Sequence, residues 1–343
     1  MRHRSSILSR TALALLFGIL LTSTLAVPAA ARPSARYRVV DLGTLVGAHS
    51  QAFAVNDRGQ VVGRSDIAEL DVAHAFLWTN GRMRDLGTLG GLFSNALDIN
   101  NHGQVVGGAD TAAGPGHAFL WVQGRMRDLG TLGGAFSVAT AINDHGVVTG
   151  YSDTPSGETH AFVWRNGRMR DLGLATYSTA NDINNRGQVV GGYRSGPGVF
   201  SHAYRWQRGS VVDLDTLGTN ESEAFAVNDR GQAAGWALFP GADVLHAAYF
   251  ARGRMTDLGT IGGVAGQSQA LGINHRGQVV GTSQTPDGAF HGFVWRNGRM
   301  TDLGAVFDGG MNGSSASDIN DRGLIAGTSD VSADAAHAVL WRR

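Results

Sequence analysis

Seven recurrences of an Asp-Leu-Gly triplet or a one-residue variant, four short alternating runs within each recurrence, and a shortage of helix formers predict an all-β fold. The expected architecture is a seven-bladed β-propeller of four-stranded blades, closed by an N-terminal strand that completes the last blade. The triplets begin at Asp41, Asp85, Asp128, Asp171, Asp213, Asp257 and Asp302, at spacings of 44, 43, 43, 42, 44 and 45 residues. That period suits a blade of four antiparallel strands and neither a helical solenoid nor a leucine-rich horseshoe. Among 343 residues there are four Glu, no Lys and 50 Gly, whereas helix interiors favour the residues that are scarce here.

The third repeat shows each element in order. Ala139 to Ile142 alternates in character, and Asn143-Asp144-His145-Gly146 supplies turn chemistry before the apolar run Val147 to Gly150. A stretch that differs in every repeat follows. His160-Ala161-Phe162-Val163-Trp164 then leads through Asn166-Gly167 into Met169 to Leu172. Asn-Gly between alternating runs is the strongest short hairpin signal, and a two-residue turn fixes register. Trp164 should therefore face Met169 and Phe162 should face Asp171, with Asp171 diagonal to His160.

The two ends of the chain complement each other. The last repeat stops at Trp341-Arg342-Arg343 without a fourth strand, while Tyr37 to Leu42 reads as a fourth strand with no third before it. Pairing them would place Val39 where Met169 stands in the third repeat and would leave no open sheet faces. Outer strands carry Arg82, Arg84, Arg125, Arg127, Arg168, Arg170, Arg254 and Arg299, and charge on an edge discourages pairing with another molecule. With 28 basic and 28 acidic residues, the chain offers no basic surplus for nucleic acid.

Residues 1–31 read as a secretory signal: Arg2, Arg4 and Arg10 at the start, an apolar stretch Ala12 to Val27, and the small residues Ala29-Ala30-Ala31 for cleavage. The apolar stretch is short for a membrane span. With that leader removed, 25 basic residues face 28 acidic ones. There is no Cys, hence no disulfide, thiolate metal site or lipid-anchoring Cys. Residues 32–343 are expected to form one monomeric domain, secreted or periplasmic, without a membrane span. Six tryptophans end third strands (Trp78, Trp121, Trp164, Trp206, Trp295 and Trp341), with Phe250 in that place in the fifth repeat, and read as core.

Several constellations invite chemistry and resolve into structure. His74, His117, His160, His202, His246, His291 and His337 recur at one position, too far apart across blades to share an ion. They read as structural, each bonded to the Asp of its triplet, as with Asp85, Asp128 and Asp171. Asp-x-Asn-x-x-Gly occurs at Asp98 to Gly103, Asp182 to Gly187 and Asp318 to Gly323, but His102, Arg186 and Arg322 occupy the place where a calcium loop needs oxygen. Turn chemistry accounts for it. The DLGTLGG segments open no helix, and no Gly-x-Ser-x-Gly elbow or HExxH pair is present. No metal or cofactor is expected.

The HAFLW, DLGTLGG and INDRGQVVG segments resemble those of the HAF-type extracellular repeat family, named for its His-Ala-Phe tripeptide. The resemblance covers residues 37–343. It is fullest at His74-Ala75-Phe76, His117-Ala118-Phe119 and His160-Ala161-Phe162, and weaker at His202-Ala203-Tyr204, His246-Ala247-Ala248, His291-Gly292-Phe293 and His337-Ala338-Val339. It implies an exported bacterial repeat protein and brings no activity or functional residues to transfer.

Hairpins barely change between repeats, whereas the loops joining second and third strands do, and variable loops on a rigid frame are where binding is usually placed. The expectation is therefore a non-enzymatic scaffold that binds a protein or glycan through that loop face. Its contact residues would be Trp236, Phe239, Phe200 and Phe290, because exposed aromatics anchor partners. The alternative is a propeller hydrolase or lyase with acid and base at the central channel. Two or three carboxylates converging on the axis would favour the enzyme. An apolar or glycine-lined axis would favour the binder.

Overall fold

The structure is a computed structural model that describes residues 37–67, 72–194, 201–214, 221–239, 244–263, 265–307 and 313–343. Residues 1–31, expected to be a leader, Phe200 and parts of the variable loops lie outside these residues. The described residues form strands and connecting turns and contain no helix, so none is long and apolar enough to cross a membrane.

Each repeat is an antiparallel meander. In the first, Ser50–Val55, Val61–Asp66, Ala73–Thr79 and Arg82–Asp85 pair in succession. The third repeat places Trp164 opposite Met169 and Phe162 opposite Asp171, the register set by its Asn-Gly turn. Both turn residues take positive φ, 52° at Asn166 and 82° at Gly167, as that turn requires. Five sheets have four strands and one has eight. The larger one joins the third and fourth repeats through a single parallel bridge from Thr159 to Tyr177.

At the chain ends, Arg38–Asp41 pairs antiparallel with Ala336–Arg342, with Val39 opposite Trp341. The innermost strand of each repeat touches those of its two neighbours, and Ser314–Ile319 of the last repeat touches Ser50–Val55 of the first. The apolar cores sit between repeats. Ala54, Val62 and Ala75 of the first repeat pack with Ile99, Phe119 and Trp121 of the second, while Leu340 of the last packs with Val61 and Phe76 of the first. Arg84 and Arg127, on outer strands, lie 5.4 and 5.5 Å from the ring centroids of Trp121 and Trp164 in the following repeats. Edge arginines thus also cover the neighbouring indole.

A buried serine stitches each pair of neighbours. Ser94 accepts the N–H of Ala75 at 2.8 Å and donates to the carbonyl of Gly87 at 2.6 Å, joining the first repeat to the second. Ser50 does the same for the last and first, through Ala338 N–H at 2.8 Å and the Gly43 carbonyl at 2.6 Å.

The expected alternation of the inner strands is broken at one shared place in every repeat. The pairing register slips between Ala139 and Ala141 and at the six equivalent places, leaving one bulged residue each. The cause lies across the sheet. A Cβ on Gly150 would stand 2.0 Å from the carbonyl oxygen of Val138, so only glycine admits the close approach that accompanies the bulge.

Candidate active site in the axial channel

The Asn that opens each first hairpin does two jobs. Asn143 accepts the amides of His145 and Val147 on Oδ1, both at 3.0 Å, which folds its own turn. Its Nδ2 then donates to the carbonyl of Asn184 in the next repeat at 3.0 Å. The same bond passes from Asn56 through Asn100, Asn143, Asn184, Asn228 and Asn274 to Asn320, which donates back to Asn56 at 2.8 Å.

The residues one step on form a second circle of alternating acceptors and donors. Asn101 Nδ2 reaches Asp57 and Asp144 at 3.4 and 3.2 Å, and Asn185 Nδ2 reaches Asp144 and Asp229 at 3.3 and 3.2 Å. His275 bridges Asp229 through Nε2 at 2.9 Å and Asp321 through Nδ1 at 2.8 Å. Alternation cannot close on an odd number, and it fails where Asp321 meets Asp57. There the backbone N–H of Asp321 donates to Asp57 Oδ1 at 3.0 Å.

Two residues before the Asn, three repeats place a carboxylate where the others carry Ala54, Ala141, Ala226 or Gly272. These are Asp98, Asp182 and Asp318. Each holds its own following amide on Oδ1 at 2.7 Å. Oδ2 accepts an amide from the next repeat: Ile142 at 2.7 Å for Asp98, Val227 at 2.6 Å for Asp182 and Val55 at 2.9 Å for Asp318. The three are walled by protein yet remain half-buried, and Asp98 and Asp318 line the chamber formed with both polar circles.

Burial pushes the Asp182 carboxyl up to about 7 and that of Asp318 up to about 6, against the pull of the amides that favour the charged form. Asp98 is raised well above the usual carboxylate range by burial and by the charge of Asp182. Asp318 in turn raises both of the others. The charge on one member thus raises the proton affinity of another, and the trio titrates as a coupled set. Among the described residues, no three His, Asp or Glu side chains gather closely enough to hold a metal ion.

The bulged residues precede these positions. Phe53, Leu97, Thr140, Asn181, Phe225, Leu271 and Ser317 line a wider chamber of about 640 Å³ together with Gln51 and residues of the last repeat such as Gly313 and Asp330. Each bulge aims one side chain inward. Because Gly313 ends the blade crossing and Asp330 ends the second strand, beside its variable loop, this chamber lies toward the variable-loop side.

The aromatic residues picked from sequence lie elsewhere. Trp236 pairs across the sheet with Glu223 and Ala247, and is half-buried. Phe239 packs on the core of the fifth repeat with its ring 6.3 Å from His246. Phe290 pairs with Gln284. None of the three lines either chamber, and Phe200 lies outside the described residues. The seven histidines each stand beside a triplet Asp. Nδ1 to carboxylate distances are 2.9 Å for His74–Asp85, 2.8 Å for His117–Asp128, 2.7 Å for His160–Asp171 and 3.7 Å for His202–Asp213. His246–Asp257, His291–Asp302 and His337–Asp41 stand at 2.9, 3.0 and 2.9 Å. Sequence reasoning passed over Asp98, Asp182 and Asp318 by treating them as the first residue of a turn motif. The signal was their exchange for Ala or Gly in the other four repeats.

No family model matches the chain, and no curated protein matches it. Among solved structures, the β-propeller domain of the Trilobed protease from Pyrococcus furiosus is similar at a TM-score of 0.54 and 12% identity, covering 73% of this chain and 82% of that one. The acylaminoacyl peptidase of Pyrococcus horikoshii is similar at a TM-score of 0.54 and 11% identity, covering 88% of this chain and 52% of that one. This chain thus spans about half the length of that peptidase. The likeness identifies the fold as a β-propeller.

The expectation of a non-enzymatic scaffold working through the loop face is overturned. Its axis should have been apolar or glycine-lined, and instead Asp98 and Asp318, both of raised proton affinity, line the chamber there with two circles of polar side chains.

Proposed function

We propose that the chain is an acid–base hydrolase or lyase whose site lies in the central channel of a seven-bladed, end-closed propeller, exported by its leader and of the HAF-repeat type. The observation that carries the reading is the coupled trio Asp98, Asp182 and Asp318, with carboxyls at about 7 for Asp182 and about 6 for Asp318. Near neutral pH such a set holds both a proton and a charge. The protonated member donates to the leaving oxygen or nitrogen while an ionised member takes a proton from the attacking water, or from carbon in a lyase. Environments that separate carboxyl affinities in this way define acid and base roles. The pairing of Arg38–Asp41 with Ala336–Arg342 and the returning series of Asn bonds support seven blades and closure. Hydrolytic chemistry in the similar propeller proteins supports the class and not the substrate.

The test uses the full chain on chromogenic glycosides, acetate esters and acyl-amino-acid anilides. Asp182→Ala and Asp318→Ala copy what sibling repeats already carry, so the fold should survive. Each should lower kcat by about 10²-fold or more and remove one limb of the pH profile. Turnover of no substrate class, or variants with unchanged rates and limbs, would refute the assignment.

A further inference from the structure

The wall of the wider chamber alternates. In repeat order it runs through Phe53 and Leu97, then Thr140 and Asn181, then Phe225 and Leu271, then Ser317. Two apolar arcs are thus separated by polar ones, and none of these side chains is buried in a core between repeats.

The chemistry of the Thr140–Asn181 arc is one-sided. Thr140 gives its hydroxyl proton to the carbonyl of Ala180 at 2.6 Å. Asn181 gives its two amide hydrogens to Glu223 Oε1 and the Ala224 carbonyl, at 2.9 Å each. What they retain for a ligand are acceptors, the Thr140 oxygen lone pairs and the Asn181 Oδ1. A ligand edge here must donate hydrogen bonds. An anionic edge would have none to give and would meet the carboxylates of Asp98, Asp182 and Asp318 one residue further along the strands.

The apolar arcs ask for something else. Phe53 with Leu97, and Phe225 with Leu271, present surfaces that gain from covering C–H groups. A cavity of about 640 Å³ is of the size that encloses a drug-sized molecule. A neutral saturated ring with C–H faces and hydroxyl edges meets both demands. Building on the hydrolase reading, we infer that this chamber is the substrate subsite and takes a neutral pyranose unit. The sugar faces lie against the two Phe–Leu pairs, and its hydroxyls donate to Thr140 and Asn181. The reaction is then cleavage of a glycosidic bond: water adds at the anomeric carbon, the bond to the leaving oxygen breaks, and that oxygen receives the proton.

Binding separates this inference from the reading beneath it. Calorimetric titration of the full-length Asp182→Ala variant with cellobiose, maltose and chitobiose should give saturable binding for at least one. The matching uronate should bind at least about tenfold more weakly. Phe225→Ala should weaken the sugar about tenfold without lowering the melting temperature, because the ring faces the chamber. Saccharide binding with no turnover by the wild-type chain would leave the subsite standing and remove the hydrolase reading. Silence of all three saccharides, equal binding by Phe225→Ala, or preference for a neutral peptide would overturn the subsite, even if ester or amide hydrolysis proceeds.

Discussion

The carboxylate of Asp318 accepts the backbone N–H of Val55 at 2.9 Å. One residue lies in the last repeat and the other in the first, so this bond spans the chain ends and the axial site at once. Asp98 and Asp182 make the equivalent bond across internal junctions, to Ile142 and Val227. Each carboxylate is thus a junction clamp, and Asp98 and Asp318 are also titratable walls of the channel; the amides they hold and their burial pull on the proton in opposite directions.

The junction of the ends can be tested directly. Val39 stands opposite Trp341, whose side chain is fully buried, and Tyr37 and Val39 pack on the same core as Val339 and Ile325. Deleting residues 32–42 would strip that cover and remove Asp41 from His337. The melting temperature should fall by many degrees, since losing the contacts of one large aromatic alone is worth about 3–5 kcal/mol. A melting curve indistinguishable from that of the parent chain would contradict this role for the first strand.

Stability should also follow the channel carboxyls as pH changes. An unfolded Asp releases its proton near pH 4, about 3.9. The folded state holds that proton up to about 7 at Asp182 and about 6 at Asp318. Across that window the native state binds more protons than the unfolded one, so stability declines as pH rises from 4 to 7. Urea denaturation at pH 4.5, 6 and 8 should show this descent, and Asp182→Ala should flatten its upper part. A rise in midpoint over the same range would reverse the sign and refute the account.

The parts legible in the sequence are those that local chemistry fixes. A two-residue Asn166-Gly167 turn dictates that Trp164 meets Met169, and the diagonal from His160 to Asp171 follows from that register. The bulge at Thr140 was not legible, because what permits it is Gly150 on the neighbouring strand and not anything within Ser137–Ile142. The carboxylates were hidden for a related reason. Asp98 begins a run that reads as a turn, and only the bulge before it turns that stretch of strand toward the axis. Trp236 and Phe239 illustrate the converse: large aromatics near variable loops looked available, yet the sheet and the core of the fifth repeat take up much of their surface.

Ser50 offers a narrower test of how repeats are joined. The residue is 1% exposed, and its hydroxyl donates to the Gly43 carbonyl and accepts from Ala338 N–H. Ser50→Ala leaves a buried donor and a buried acceptor without that partner, at a cost of about 1–3 kcal/mol. Denaturant unfolding would register the loss as a lower midpoint with unchanged slope. No shift would show that water or backbone movement replaces the hydroxyl.

The link from fold to channel is best probed at Gly281. A Cβ there would sit 1.9 Å from the carbonyl oxygen of Gln269 and 2.9 Å from the Cα of Ala270, beside the bulge that presents Leu271 to the chamber. Both obstacles are backbone, so the strand must move and not merely a side chain. Gly281→Ala should cost about 1–3 kcal/mol or more from overpacking. It should also change the chamber, because a displaced bulge re-aims Leu271. Gly298→Ala is the matched control: its φ of 79° strains a side chain, but no atom lies within 4 Å of the added methyl. The control should lose stability through that backbone strain while leaving saccharide affinity intact, whereas Gly281→Ala should lose both. If the two substitutions affect ligand binding equally, the glycine does not govern how the bulge faces the axis.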